Sequence, residues 1–151
     1  MQLKLTGTLD SQFTNNQHGF RKYRSCVTAW TCFKQKLTLA MDTKDMLVGA
    51  IFIDFKKAFD YVPPQSVLQS LYVDFDVDAS LIKLLASFML DRNFYIFTDN
   101  YLSEPFPYNS TCPQGSTLAS TLFIVFINLL SQLSADTNIE HLLFADDLFN
   151  S

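Results

Sequence analysis

Cysteine and histidine are scarce in this sequence, and the few that occur form no metal or disulfide pattern. The three cysteines, Cys26, Cys32 and Cys112, contain no Cys-x-x-Cys pair and cannot all pair with one another. The two histidines, His18 and His141, lack metal-ligand spacing, and we expect them at the surface or at strand ends. These absences argue against a zinc site and are typical of a protein from a reducing, intracellular compartment.

Glycine, proline and long apolar runs are also sparse. Four glycines and five prolines among 151 residues argue against extended disorder. The most apolar stretch, 118–133, is about 16 residues long and carries Ser, Thr, Asn and Gln, whereas a transmembrane helix needs about 20 apolar residues. We therefore predict a buried helix there. The amino-terminal segment has no continuous apolar core, so no secretory signal peptide is predicted.

Basic residues are in the minority. Lys and Arg number 11 against 15 Asp and Glu, which gives a formal net charge of −4 and a pI of about 4.9. A protein that binds nucleic acid on its own is usually basic, so this composition argues against autonomous tight binding. The cations are nevertheless clustered, at Arg21, Lys22 and Arg24 and again at Lys56 and Lys57.

The hydrophobic pattern predicts an α+β fold, with an antiparallel or mixed sheet and helices packed on one face. Four segments have the caps or periodicity of helices: 26–41 after Ser25, 66–72, 79–90 after Asp78, and 116–133. Strands are predicted over 46–54, covered on both faces, over 93–100 and 103–111 as a hairpin, and on either side of a turn at 146–147.

Two of these apolar runs end in carboxylates. In "AIFIDF" the apolar run reaches Asp54, and in "LLFADD" it reaches Asp146 and Asp147. If both strands reach the same edge of a sheet, the three acids converge, and converging carboxylates suit a hard cation such as Mg²⁺. Such a site serves in-line phosphoryl transfer. The residues alone leave an alternative open, because Asp also favours ordinary hairpin turns.

Two further segments have chemistry that fits an anionic ligand. In "TCPQGSTL", Gly115 permits positive φ and Ser116 can cap a helix whose N-terminus would face an anion, although the same pattern begins many ordinary helices. In "DFKKAFD", Lys56 and Lys57 lie between Asp54 and Phe59, within reach of an incoming anion. Phe59 taken singly is more typical of a core residue.

Together these motifs resemble those of reverse transcriptases from non-LTR (LINE-type, jockey-like) retrotransposons. The matching segments, in order and spacing, are "QHGFRKYRSC" (17–26), "FIDFKKAFDYVP" (52–63), "CPQGSTLASTLFIVFIN" (112–128) and "LLFADDL" (142–148). The resemblance implies a reverse-transcriptase-like palm with partial fingers. It implies partial fingers over 1–47 and palm over 48–151, with 91–114 as a connecting hairpin, truncation after the catalytic hairpin, and no thumb.

The resemblance also implies a chemistry: RNA-directed DNA polymerisation with two Mg²⁺ ions, for which Mn²⁺ is an alternative. The implied partners are an RNA template, a DNA primer and dNTPs, with no membrane and no obligate protein partner. Asp54 and Asp146 would be the principal metal ligands and Asp147 the third acid.

The remaining residues implied by the resemblance surround the nucleotide. Phe59 would pack beneath the incoming sugar and exclude a 2′-hydroxyl, which is the group that separates RNA from DNA. Lys57 and Ala58 would cradle the triphosphate, and Gln114 and Gly115 would flank the incoming nucleotide and the template base. Arg21 would hold template or nucleotide from the fingers.

The same resemblance leaves the activity of the isolated chain in question. Because positioning dominates phosphoryl transfer, we expect that 151 residues without a thumb do not polymerise. The alternative to a polymerase fragment is an inactive remnant or a nucleic-acid-binding scaffold that keeps the fold and binds single strands through Arg21, Lys22 and Arg24.

Overall fold

The computed structural model describes residues 7–42, 47–108, 115–135 and 140–150. Its helices are α1 (Cys26–Met41), α2 (Pro64–Val73), α3 (Ala79–Met89) and α4 (Ala119–Ala135), with 3₁₀ turns at Asp10–Gln12 and Ala58–Tyr61. Its strands are β1 (Ile51–Asp54), β2 (Arg92–Phe94), β3 (Phe97–Thr98), β4 (Tyr101–Leu102), β5 (Phe106–Tyr108), β6 (His141–Phe144) and β7 (Asp147–Asn150). This mixture of helix and sheet confirms the predicted α+β class.

The chain divides into two compact units. The first comprises 1–58 and 124–151, and the second comprises 59–123. The chain therefore leaves the first unit inside a 3₁₀ turn and returns to it inside α4. The predicted division into fingers over 1–47 and palm over 48–151 remains a prediction.

The first unit contains a three-stranded antiparallel sheet in the order β1-β7-β6. β6 and β7 form a hairpin joined by the two-residue turn Ala145-Asp146. The predicted strand, turn and strand are confirmed, but the turn lies one residue before the predicted 146–147, because Asp147 already pairs with Phe144. A parallel bridge between Gln17 and Leu143 adds a short extension beside β6. The sheet with this extension is therefore mixed, as predicted.

β1 differs from its prediction. The expected strand over 46–54, covered on both faces, is a four-residue strand whose residues are all exposed: Ile51 is 63% and Phe52 is 58% accessible. Among the described residues β1 pairs with β7 alone, so it lies at the edge of the sheet. The prediction was wrong because an apolar run shows only that a strand favours burial. It does not show which other elements pack on the strand and bury it.

α1 begins as its sequence predicts. The Ser25 hydroxyl accepts from the Thr28 amide at 3.3 Å, and the Thr28 hydroxyl accepts from the Ser25 amide at 2.9 Å. This capping box satisfies two amides that have no partner inside the helix. α1 then packs against β6, and a salt bridge joins Lys36 of α1 to Glu140, the residue before β6.

Helices contact both faces of the sheet rather than the single face predicted. Leu142 and Phe144 face α1, whereas the imidazole of His141, on the alternate face, meets the Ser131 hydroxyl of α4. The apolar sequence of α4 suits this position, since Val125 is fully buried. α4 begins three residues after the predicted start, because Ser116 forms a turn whose carbonyl accepts from the Ala119 amide at 3.1 Å.

The second unit is built from α2, α3 and a long hairpin. α2 and α3 pack together, and their buried residues include Val67, Leu71, Leu85 and Met89. The predicted hairpin is confirmed as two short antiparallel ladders, β2 with β5 and β3 with β4. Its turn is at 99–100 rather than between the predicted strands 93–100 and 103–111, and 109–111 lie outside the described residues. No helix among the described residues is long and apolar enough to cross a bilayer.

Candidate active site

Two of the predicted acids stand opposite each other in the sheet. Asp54 is the last residue of β1, Asp147 is the first residue of β7, and the antiparallel register pairs them directly. Residues in such pairs have Cβ atoms about 4.5–5.5 Å apart and project to the same face. Both are exposed, so the sheet presents two neighbouring carboxylates at one end.

The third acid, Asp146, occupies the turn immediately before Asp147 and is half-buried. The pKa of Asp147 is raised, first by burial and then by the negative charges of Asp146 and Asp54. Asp146 and Asp54 are therefore close enough to disfavour the charged form of Asp147. The resemblance implies that Asp54 and Asp146 are the principal metal ligands. In the strand register, the residue directly opposite Asp54 is Asp147.

The three acids do not form a ready-made metal cage. Among the described residues, no three Asp, Glu, His or Cys side chains gather into a group that could enclose an ion. Mg²⁺ is usually held by one or two carboxylates together with waters and substrate phosphates rather than by an all-protein cage. The opposed pair Asp54 and Asp147, with Asp146 beside it, is thus a donor set that fits a hard divalent ion completed by other ligands.

A segment near the amino terminus holds the hairpin that carries these acids. The His18 amide donates to the Leu143 carbonyl at 2.8 Å, and the Leu143 amide donates to the Asn16 carbonyl at 2.9 Å. Between them the fully buried Gln17 bonds to Ala145 in the turn. Sequence reasoning assigned no role to Gln17, although the "QHGF" segment was one of the matching motifs.

Both histidines are buried, so the predicted surface or strand-end position is wrong for His18, which lies at neither. The His141 Nε2 lies 2.9 Å from the Ser131 hydroxyl and 3.3 Å from the Asn16 side-chain nitrogen. The His18 Nδ1 lies 2.8 Å from the Thr28 hydroxyl. These polar partners offset the burial of each ring. His141 does stand at a strand end, as predicted.

The predicted triphosphate residues follow Asp54 closely. Lys57 is exposed in the turn after β1, with a positive φ of 54°. Ala58 opens the 3₁₀ turn that follows and is half-buried. These two residues and the three acids all belong to the first unit.

Phe59 and Gly115 belong to the second unit. The Phe59 ring is half-buried and stacks on the Phe123 ring, with centroids 4.2 Å apart and planes 16° apart. Gly115 is exposed with φ of +85°, a conformation that suits glycine. Gln114 lies outside the described residues.

Arg21 has its guanidinium bonded to the protein. Its Nε donates to the Asp10 carboxylate at 2.9 Å, its Nη2 to the Asp10 carbonyl at 2.6 Å, and its Nη1 to the Thr14 carbonyl at 2.6 Å. The side chain is 5% exposed. These bonds show that Arg21 stabilises the folded amino-terminal segment. Its contact with the template remains a prediction.

An apolar cleft of about 260 Å³ adjoins the acids between α1 and the hairpin. Its lining consists of Asp147 and the residues Cys26, Ala29, Trp30, Phe33, Leu142 and Phe144. The exposed indole of Trp30 and the buried ring of Phe33 stack at 5.5 Å. The carboxylate of Asp147 therefore has water on one side and an apolar wall on the other, which fits the raised pKa.

Comparison with known proteins places this chain in a family. Residues 1–150 match the family of reverse transcriptases (RNA-dependent DNA polymerases). The chain is 37% identical over 87 residues to the RNA-directed DNA polymerase from mobile element jockey of Drosophila melanogaster, an overlap of 58% of this chain and 9% of that protein. It is 31% identical over 112 residues to the probable RNA-directed DNA polymerase from transposon BS of the same organism, an overlap of 74% of this chain and 12% of that protein.

The chain therefore belongs to the reverse transcriptase family. Its relatives are polymerases of non-LTR retrotransposons, which confirms the resemblance read from the four motifs. The matched region spans about a tenth of each of these relatives.

Proposed function

We propose that this chain carries the metal-binding acids of an RNA-directed DNA polymerase, an enzyme that extends a DNA primer with dNTPs along an RNA template. The observation that carries the proposal is the register that sets Asp54 opposite Asp147, with Asp146 in the adjoining turn. Membership of the reverse transcriptase family supports the same reading.

Asp54, Asp146 and Asp147 are the residues that would hold Mg²⁺ or Mn²⁺. Bound divalent ions in such enzymes activate the attacking oxygen and stabilise the leaving oxygen. The protein's own contribution is to hold the three carboxylates near one another; burial, and then the charges of Asp146 and Asp54, raise the pKa of Asp147. A cation and the substrate phosphates would offset that repulsion.

The nucleotide-binding part of the proposal rests on the family resemblance. Lys57 and Ala58, directly after β1, would meet the triphosphate, and Gln114 and Gly115 would flank the nucleotide and the template base. Phe59 would pack beneath the sugar and favour deoxynucleotides. Its stacking on the buried Phe123 supports this role, because a ring fixed on the core is a stable platform.

The alternative of a non-catalytic nucleic-acid-binding scaffold draws less support. Such a scaffold would bind single-stranded nucleic acid through the basic cluster Arg21, Lys22 and Arg24. Arg21 is bonded to Asp10 and Thr14, and Arg24 donates to the Asn15 side chain at 2.9 Å and to the Gln17 carbonyl at 3.3 Å. Two of the three cations therefore stabilise the fold.

Metal affinity tests the proposed function. Mn²⁺ binding to the 151-residue chain can be measured by electron paramagnetic resonance for wild type, Asp54→Asn and Asp146→Asn, with the exposed Glu104→Gln as the matched control. We expect each Asn variant to bind at least about tenfold more weakly, because a carboxylate near the ion contributes directly to its attraction. Equal binding by all four proteins would contradict the site.

Catalysis is a separate measurement on the same proteins. We expect the 151-residue chain alone not to extend a DNA primer on an RNA template, because positioning supplies most of the rate in phosphoryl transfer. Extension that disappears in Asp146→Asn would overturn the expected inactivity and would itself support the polymerase assignment.

A further inference from the structure

The residue before the two turn acids has an unusual backbone conformation. Ala145 has φ of +55°, the left-handed region that only glycine enters without cost. Two-residue hairpin turns require positive φ at their first central position, and glycine, asparagine or aspartate normally supplies it. An alanine here persists only if its surroundings hold it in place.

Gln17 provides that hold. Its Oε1 accepts from the Ala145 amide at 3.1 Å, and its Nε2 donates to the Ala145 carbonyl at 3.3 Å. One carboxamide thus bonds both polar backbone groups of the strained residue. Gln17 has no accessible surface, so these bonds form where water does not compete.

We call these two bonds between the Gln17 carboxamide and the Ala145 backbone the clamp. Gly19 allows the two backbones to approach closely enough for the clamp to form. A Cβ at this position would lie 2.2 Å from the Ala145 nitrogen and 2.7 Å from its Cα, closer than real Cβ atoms approach backbone. The Gly19 amide also donates to the Gln17 Oε1 at 2.6 Å, which orients the carboxamide. Gly19 is therefore needed for contact between two backbones rather than for its own φ.

The clamping segment is itself anchored on the first unit. The Thr14 amide donates to the Asn128 side chain of α4 at 2.9 Å, and the Asn16 side chain meets His141 at 3.3 Å. The His18 ring meets Thr28 of α1 at 2.8 Å. Residues 14–19 are thus tied to both helices and to β6, so Gln17 approaches the turn from a fixed frame.

We propose that Gln17 is a positioning residue for the metal-binding acids. Its carboxamide holds Ala145 in the left-handed conformation and thereby fixes where the turn presents Asp146 and starts Asp147 opposite Asp54. The inference rests on the proposed function for the identity of the metal site, and it adds a residue that touches neither metal nor substrate.

A rescue experiment separates positioning from ordinary core packing. Gln17→Met keeps the length of the side chain and removes both bonds to Ala145. Ala145→Gly removes the need for the clamp, because glycine adopts positive φ freely. The variants are Gln17→Met, Ala145→Gly and their combination, with Gln35→Met, an exposed glutamine of α1, as the matched control.

Mn²⁺ affinity is the first readout. We expect Gln17→Met to bind about 10–100-fold more weakly, the usual effect of removing an outer partner of a metal ligand. Adding Ala145→Gly should recover most of that loss, while Gln35→Met should match wild type. Undiminished binding in Gln17→Met, or a loss that Ala145→Gly leaves untouched, would overturn the proposal.

Amide hydrogen exchange is the second readout and does not depend on metal. The Ala145 amide should exchange slowly in wild type and faster in Gln17→Met, while the Ile82 amide, bonded to the Asp78 carbonyl in α3, should not change. If wild type binds no Mn²⁺, the proposed function fails and the Ala145 amide alone decides about the clamp. If Gln17→Met does not fold, slow exchange of that amide in wild type supports the clamp and fast exchange overturns it.

Discussion

Among single residues, Asp147 experiences the strongest unfavourable electrostatics of the site. It faces Asp54 across the β1–β7 pair and follows Asp146 in the chain. Burial raises its pKa most, and the charges of Asp146 and Asp54 raise it further. Like charges directly opposite in a sheet are destabilising. The opposed charges of Asp54 and Asp147 therefore cost stability, and the proposed cation would offset that cost.

The first prediction concerns that repulsion. In metal-free buffer, Asp147→Asn should raise the free energy of unfolding by about 0.2–1 kcal/mol, because it removes one of two opposed charges. With Mn²⁺ present the variant should gain less stability than wild type, since one donor is lost. Urea unfolding with chelator and with Mn²⁺ measures both effects, and Glu104→Gln is the control. A metal-free variant less stable than wild type would contradict the account.

The second prediction concerns His18, whose pKa is lowered first by burial and then by the positive charges of Arg24 and Arg21. The unfolded chain takes up a proton near the ordinary histidine pKa of 6.5, while the folded ring stays neutral to lower pH. The protein should therefore keep this contribution to stability above that pH and lose it as pH falls through the lowered folded-state pKa.

Urea unfolding at several pH values between about 7.5 and about 5 measures the His18 effect. His18→Gln should show a shallower fall in stability with acidification than wild type, whatever its absolute stability. Parallel pH profiles for the two proteins would show that His18 does not set this dependence.

Among the elements, α1 is a helix whose start is predicted by its sequence and which also borders the site. It packs on β6 and lines the cleft beside Asp147. Its start depends on the Ser25–Thr28 capping box. Ser25→Ala should lower the free energy of unfolding by about 1 kcal/mol, the usual cost of losing an N-cap. The exposed Ser11→Ala is the control in the same urea titration, and equal effects of the two changes would argue against the cap.

Elements defined by local chemistry were predictable from sequence. α1 and α3 follow from the caps Ser25 and Asp78, and the β6–β7 hairpin follows from apolar runs around a turn signal. The exposure of β1 was not predictable, because burial is decided by what packs on a strand rather than by its own residues. The resemblance supplied the three acids, and the register then paired Asp54 with Asp147.

The position of Gln17 at the site was likewise not predictable from the sequence. A glutamine in sequence is usually a surface residue, and only the fold brings its carboxamide to Ala145 from 128 positions away. The buried histidines were missed for the same reason, since their partners Ser131 and Thr28 lie on helices that meet them only in three dimensions. Polar groups with distant partners are the part of this site that local pattern cannot specify.

For the whole molecule, the acidic balance limits nucleic-acid binding. With a net charge of −4 and two clustered arginines bonded internally, the chain should bind single-stranded RNA no more tightly than typical non-specific complexes, about 10⁻⁴–10⁻⁶ M at physiological salt. Fluorescence anisotropy with a labelled oligonucleotide measures this. Submicromolar binding that is weakened by Lys22→Gln would instead favour the scaffold alternative.

The central claim is that Asp54, Asp146 and Asp147 form one divalent-cation site, and paramagnetic relaxation by Mn²⁺ tests it most directly. Sub-stoichiometric Mn²⁺ added to ¹⁵N-labelled chain broadens amides close to the ion. We predict selective broadening at residues 53–55 and 145–148, abolished by Asp54→Asn. Broadening centred instead on the other acidic stretch, Asp74, Asp76 and Asp78, or spread evenly over the chain, would contradict the claim.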